Sequence, residues 1–458
     1  MLWGGRFAAA PHPDLLRLTA SIDVDIRLLE YDVAATKAHA RSLAGSGFLS
    51  AAELEAIDDA CTDILEEWRA GKLEPTDADE DVHSLVEREL TARAGDAGAR
   101  IHAGRSRNDL VATDLRLWCR DAAQSCAGLV GELVETLADI AAEHTETVMP
   151  GYTHLQIAQP ISLGFHLAAH GFALLRDGRR FLAAGDAADV SALGAGALAG
   201  TTLPLDPSVA ASELGFSGIF DNAMDAVSDR DFACDIVYAA ALCGVHLSRL
   251  AEEMVLWTSS EFGYATLADE WSTGSSMMPQ KRNPDLAELL RGRAAGGIAD
   301  LNGLLILLKG LPFAYNRDLQ EDKSFLFAAV DRVQAGLQGA TQLIEHLVWH
   351  PERMAATAAL GGGWATDLAE RLVARGVAFR EAHGAVGSLV AALESLGTGL
   401  GDAPDDMLSS HHRLLVGEDR AVADARQGLD ARSSPGGTGS VPVKDQIDAL
   451  RRSAKALP

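Results

Sequence analysis

Gly274-Ser275-Ser276-Met277-Met278-Pro279-Gln280-Lys281-Arg282-Asn283-Pro284 is the stretch on which the reading of this chain turns. It cannot be helix, because Pro279 and Pro284 remove backbone donors and push the residues before them out of the α region. Gly274 and the two serines form a hinge that accepts almost any backbone angle. Hydroxyls, a lysine, an arginine and an asparagine crowd into it. A plain linker also carries polar residues, but rarely Met-Met-Pro beside so many anion-binding groups. Both flanks are helical: Ile236, Cys243, Leu247, Leu250, Met254 and Trp257 recur at helical steps before it, and Pro284 opens another helix after it.

Outward from this loop the same pattern repeats. Leu115, Trp118, Ala122, Cys126, Leu129, Leu133, Leu137 and Ile140 follow three- and four-residue steps, so a helix is expected to about Thr147, where Met149-Pro150-Gly151 ends it. A further helix is expected over 160–187, started by Pro160, and another through Val330, Val333, Leu337, Ile344 and Leu347. Alternating strand patterns are nearly absent. About five long helices make the content of a bundle, so the fold class is all-α. Several seams are too long and too apolar for a monomer's surface, which points to burial in an oligomer. Residues 1–20 read as an irregular arm; a helix from Ser21 to His39 follows, with Ser21 and Asp23 as possible N-caps. Shorter helices fill the region after Gly361-Gly362-Gly363-Trp364.

A chain of 458 residues has room for two to four domains, and 48% hydrophobic residues make it globular. A net charge of -26 and a pI near 4.8 argue against nucleic acid as a partner. Five cysteines, without a Cys-x-x-Cys pair, read as reduced and mostly buried thiols. The opening Met-Leu-Trp-Gly-Gly-Arg-Phe lacks the apolar core of a signal peptide, and the run 304–308 is too short for a bilayer, so a cytoplasmic protein without a membrane anchor is expected.

Other polar blocks punctuate the helices. His154 lies in Gly151-Tyr152-Thr153-His154-Leu155-Gln156, a loop well placed for proton chemistry, although a satisfied helix-capping histidine would look the same. His102-Ala103-Gly104-Arg105-Ser106-Arg107-Asn108-Asp109 opens a helix whose first turn suits an anion. His83 follows Glu80-Asp81-Val82, where a surface or capping role is the ordinary one. His166 and His170 have metal-like spacing, but no third ligand is apparent, so they read as packing or surface residues. Gly194–Gly200 has the wrong spacing for a dinucleotide loop. Asp225–Asp231 reads as a helix N-cap with a charged first turn.

These blocks resemble the fumarase/aspartase superfamily, whose members release fumarate by β-elimination, and the Gln-Lys-Arg-Asn-Pro ending of the loop is similar to the argininosuccinate lyase family. The resemblance extends through Trp3-Gly4-Gly5-Arg6-Phe7, Asp81-Val82-His83, Gly104-Arg105-Ser106-Arg107-Asn108-Asp109, Thr153-His154-Leu155-Gln156, Gly196-Ala197-Leu198-Ala199-Gly200-Thr201-Thr202 and the 315–323 block, and covers essentially the whole chain. Leu110 departs from it, standing where the family would carry Gln.

The resemblance implies three domains, 1–105, 106–355 and 356–458, with the long-helix bundle in the middle. It implies reversible cleavage of argininosuccinate to arginine and fumarate, the last step of arginine biosynthesis, without cofactor or metal. Ser275 and His154 would exchange the proton roles, Ser275 as base, with Glu288 tuning the histidine and Lys281 holding developing charge. Ser21, Asp25, His83, Arg107, Asn108, Thr153, Asn283, Tyr315, Gln320 and Lys323 would bind substrate. A helix rises 1.5 Å per residue, so thirty residues span roughly 45 Å, and loops at opposite ends of such rods cannot all meet within one chain. The resemblance accordingly implies a homotetramer whose sites draw the His154, Ser275 and Asn108 regions from three chains. The alternatives are another fumarate-releasing lyase, such as adenylosuccinate lyase, and an inactive crystallin-like structural protein.

Overall fold

The computed structural model describes residues 12–77, 79–360 and 362–458. The Trp3–Phe7 block and Gly361 lie outside the described residues. Of the arm read from 1–20, Pro13–Thr19 is a short helix.

Five long helices dominate, as the apolar spacing predicts: Arg107–Glu143, Leu163–Ala188, Asp231–Trp257, Asp285–Leu308 and Asp322–Glu345. Leu115, Trp118, Ala122, Cys126, Leu133 and Leu137 are buried along the first, while Leu129 and Ile140 sit at its margins. Each buried Leu contributes about 1.5–3 kcal/mol, which is why the seam holds a helix of this length together. The 231–257 helix is long and apolar enough to cross a membrane by composition alone, but half of its apolar window is buried inside the fold, as expected of a bundle's core helix. No disulfide joins the five cysteines, and Cys61, Cys119, Cys126 and Cys243 are buried.

The chain divides into two compact units, and the division falls inside each long helix. The first unit collects the described residues up to Cys126 with Arg180–Leu242 and Gly296–Val333. Here the helix expected from Ser21 is broken into Ile22–Asp25, a 3-10 turn at Ile26–Leu28 and Leu29–Gly45. Ser50 and Glu53 cap the Ala51–Arg69 helix reciprocally, and Asp81 and Ser84 do the same for Val82–Ala94. Asn222 caps the short helix Ala223–Ser228, and Asp229 accepts the amide of Asp231 at the start of the next. Leu110 is buried with Ala35, Ala38, Leu193 and Ala210, so an apolar residue belongs there.

The second unit holds Ala127–Arg179, Cys243–Ala295 and Gln334–Pro458. Where a loop from Gly151 and a helix from Pro160 were expected, the chain forms an antiparallel hairpin, Val148–Thr153 against Gln156–Ser162, and the helix starts only at Leu163. Pro160 lies in the second strand opposite Pro150, and both strands are edges of a two-stranded sheet, where proline is tolerated. A second small sheet pairs Ala265–Leu267 with Leu347–Trp349. The C-terminal helices close over their own core, including Leu368, Leu372, Val386, Leu389 and Leu408.

Candidate active site

In the first unit, Ser21 makes no capping bond. Its hydroxyl instead donates to Asp25 Oδ2 at 2.6 Å, while Asp25 Oδ1 accepts the amide of Val82 at 3.0 Å. The cap expected from sequence is therefore replaced by a link between two helix starts. Burial pushes the Asp25 carboxyl up, opposed chiefly by the charge of His83. His83 Nδ1 lies 2.5 Å from Asp32 Oδ2 and 3.7 Å from Asp114 Oδ2, all three residues being buried. Burial alone would lower the imidazole's pKa, but the Asp32 bond and the charges of Asp32, Asp81 and Asp114 outweigh it, raising it to about 9. Among the described residues neither carboxylate oxygen of Asp114 has a hydrogen-bond partner, and burial raises its pKa strongly. Sequence reasoning missed Asp32 and Asp114; the signal was a carboxylate at a core-facing position of each helix.

Nearby in the same unit, Arg107 Nη1 reaches Asp81 Oδ2 at 3.0 Å and Glu80 Oε2 at 3.3 Å. Arg317 and Gln320 both donate to the carbonyl of Thr19. Asn108 donates to the carbonyl of Ala197 at 3.0 Å. Its neighbour Asp109 is fully buried and accepts from the amides of Ser106, Gly194 and Gly196, so the glycine-rich turn is fastened to the helix start. Gly196 has φ +61, and a Cβ there would lie 2.7 Å from the carbonyl oxygen of Gly200. That turn serves packing. Lys323, also buried, donates to Asp322 Oδ1 at 3.0 Å, and Arg230 Nε donates to Asp322 Oδ2 at 2.5 Å. Burial would raise Asp322, but these two cations hold it below the usual carboxylate range. Tyr315 is half-buried, and burial raises its phenol.

In the second unit, Thr153 and Gln156 pair across a two-residue turn made by His154 and Leu155, with φ of +56 and +55. This is the backbone of a tight hairpin turn, usually made by Asn-Gly; a non-glycine residue in that region stores strain and points to a site. Thr153 and His154 are exposed at its tip. The Gly274–Pro284 loop is pinned at its neck, where Asn283 N donates to the carbonyl of Thr273 at 2.9 Å and Thr273 Oγ1 donates to Asp285. Within the loop, the amides of Met277 and Met278 both donate to Ser275 Oγ, at 3.2 and 3.1 Å. Two donors on one hydroxyl oxygen favour its anion. Lys281 and Glu288 are exposed, and no hydrogen bond joins Glu288 to His154 among the described residues of one chain.

Among the described residues, two clusters have metal-donor composition: Asp32, His83 and Asp114, and His166, His170 and Glu253. In the first, His83 Nδ1 is already paired with Asp32, and the surrounding carboxylates favour its protonated form. In the second, the third ligand missing from the sequence is supplied by a neighbouring helix.

The general lyase family model matches residues 5–296, and the model for the argininosuccinate lyase C-terminal region matches 364–432. The argininosuccinate lyase of Frankia casuarinae is 51% identical over 450 residues, 98% of this chain and 97% of that protein. That of Acidothermus cellulolyticus is 48% identical over 454 residues, covering 98% and 93%. Among solved structures, EDDS lyase in complex with formate superposes with a TM-score of 0.84 at 27% identity, over 98% of this chain and 91% of that one. With that likeness running the length of the chain and through each block that carries the polar groups, the chain belongs to the argininosuccinate lyase family.

Proposed function

We propose that this protein cleaves argininosuccinate to arginine and fumarate. The observation that carries the chemistry is Ser275, whose Oγ accepts two backbone N–H bonds inside a loop rich in anion-binding groups. A serine hydroxyl is a poor base until its anion is stabilised, and backbone donors supply that stabilisation. The Ser275 alkoxide takes the proton from the carbon beside a carboxylate. The electron pair left behind spreads into that carboxylate, and Lys281 and Asn283 hold the charge; one such donor is worth roughly 3–4 kcal/mol of barrier. The carbon–nitrogen bond then breaks, the pair becomes the double bond of fumarate, and a group on the His154 side protonates the departing nitrogen. Glu288 of another chain faces that imidazole in the assembled site.

The groups of the first unit bind the rest of the substrate: Ser21, Asp25, His83, Arg107, Asn108, Tyr315, Gln320 and Lys323, with Thr153 joining from the hairpin. The enzyme works in the cytoplasm without cofactor or metal. Three domains, 1–105, 106–355 and 356–458, serve it, and a homotetramer brings the His154, Ser275 and Asn108 regions of three chains together. Support for assembly comes from the 285–308 helix, where Leu289, Ile298, Leu305 and Ile306 are each more than half exposed and would bury against another copy. Full-length similarity to argininosuccinate lyases supports this substrate over adenylosuccinate, and over a structural role. The test is fumarate release, followed by ultraviolet absorbance, with argininosuccinate and then adenylosuccinate. Turnover of the first alone is expected; turnover of the second, or of neither, overturns the reading.

A further inference from the structure

His166 and His170 stand one turn apart on the Leu163–Ala188 helix, and Glu253 faces them from Asp231–Trp257. Both imidazole Nε2 atoms lie 2.6 Å from the same carboxylate oxygen, Glu253 Oε2. The three donor atoms fall within 4.8 Å of one another. Two nitrogens and one oxygen on rigid helices form the donor set of a three-ligand zinc site, which leaves a fourth position open. Zinc bonds of about 2.1 Å set tetrahedral donors roughly 3.3 Å apart, so each His–Glu separation needs to open by less than about 1 Å. The site can be entered, since all three residues are partly exposed. Trp257 packs edge-on against His166 at 4.8 Å between ring centres, fixing that ring.

Glu253 contributes a carboxylate oxygen that both imidazoles already share. Arg249, one turn before Glu253 on the same helix, is the nearby charge that opposes a bound ion.

We propose that His166, His170 and Glu253 form a divalent-metal site of the zinc class, which ties the 163–188 helix to the 231–257 helix apart from the groups assigned to catalysis. The probe is Zn2+ itself, titrated by equilibrium dialysis into untagged, chelator-stripped protein in its native oligomeric state. One ion per chain is expected, with at least tenfold weaker binding in Glu253→Gln and in His170→Asn. Co2+-loaded wild type should show the visible bands of a four-coordinate ion, absent from both variants. Glu253→Gln nearly preserves shape and hydrogen bonding, and its thermal melt without metal checks that it folds. Binding unchanged in the variants, or no ion retained by the wild type, overturns the site. Fumarate release measured in parallel separates this result from the lyase reading, which stands whichever way the metal titration falls.

Discussion

Around His83 and Lys323 the charges are buried and bonded to one another, whereas Ser275 is bonded by backbone amides and His154 stands exposed at a hairpin tip. The first arrangement is fixed before any ligand arrives: Asp32, His83 and Asp114 in one core, and Arg230, Asp322 and Lys323 in another. The second leaves Ser275 half-buried and His154 exposed, away from any such buried charge cluster. The groups proposed to bind substrate around His83 and Lys323 are thus built into the packing, and the groups proposed to move protons are built onto turns. Mutation should separate the two, with stability falling on one side and turnover on the other.

The sharpest break would come at Ser275. Ser275→Ala removes the hydroxyl of a half-buried residue in an otherwise largely exposed loop and makes no cavity, so turnover should fall about 10³-fold, within the usual range for a positioned base. The melting temperature should not change. A large drop in melting temperature, or near-normal fumarate release, would refute the contrast.

Mixing inactive His154→Asn and Asn108→Ala proteins after mild dissociation tests whether the two kinds of region come from different chains. Random assortment leaves about a quarter of sites with both positions intact, so activity should return to roughly that fraction. Well-mixed hybrids as inactive as their parents would end the shared-site model.

On the buried side, Asp322→Ala strands two cations in the core and should cost about 3–5 kcal/mol of folding stability, read from denaturant unfolding. The His83 imidazolium gives a pH test of the same kind. Its folded pKa of about 9 lies above the ordinary 6.5, so its stabilisation is fully present below pH 6.5 and is lost as pH rises through 9. The amount is roughly 3 kcal/mol at most. His83→Gln should flatten that part of the stability profile; an unchanged slope would show that the imidazole is not charged in the folded protein.

The smallest effect belongs to the hairpin tip. Leu155 is 65% exposed at φ +55, and Leu155→Gly relieves about 1–2 kcal/mol of left-handed strain against the greater freedom of an unfolded glycine. A net gain of about 0.5 kcal/mol is expected, visible as a slightly higher melting temperature. A loss would mean that the turn is held by contacts of the leucine itself.

The long helices were legible because their apolar residues repeat along a single surface, and each repeat depends only on near neighbours in sequence. The hairpin was not, because Thr153-His154-Leu155-Gln156 lacks the Asn-Gly turn residues that announce one, and Pro160 imitates a helix start. Ser21 looked like a cap since capping is local, but its partner Asp25 is itself aimed by Val82, far along the chain. Glu253 could not be linked to His166 and His170 by spacing, because packing between helices sets that contact. The polar motifs carried the candidate site; their pairing with Asp32, Asp114 and Asp322 emerged only from the folded chain.

The hidden thiols have a practical consequence. Burial pushes Cys61 up to about 12, and the half-buried Cys234 is pushed up to about 11. Thiolate is therefore scarce at neutral pH, and alkylating dyes will find the native protein almost silent. A cysteine placed at Met277, which is 86% exposed on the loop beside Ser275, would take a fluorophore against that dark background. Any movement of the loop during turnover would then be read as a change in that fluorescence.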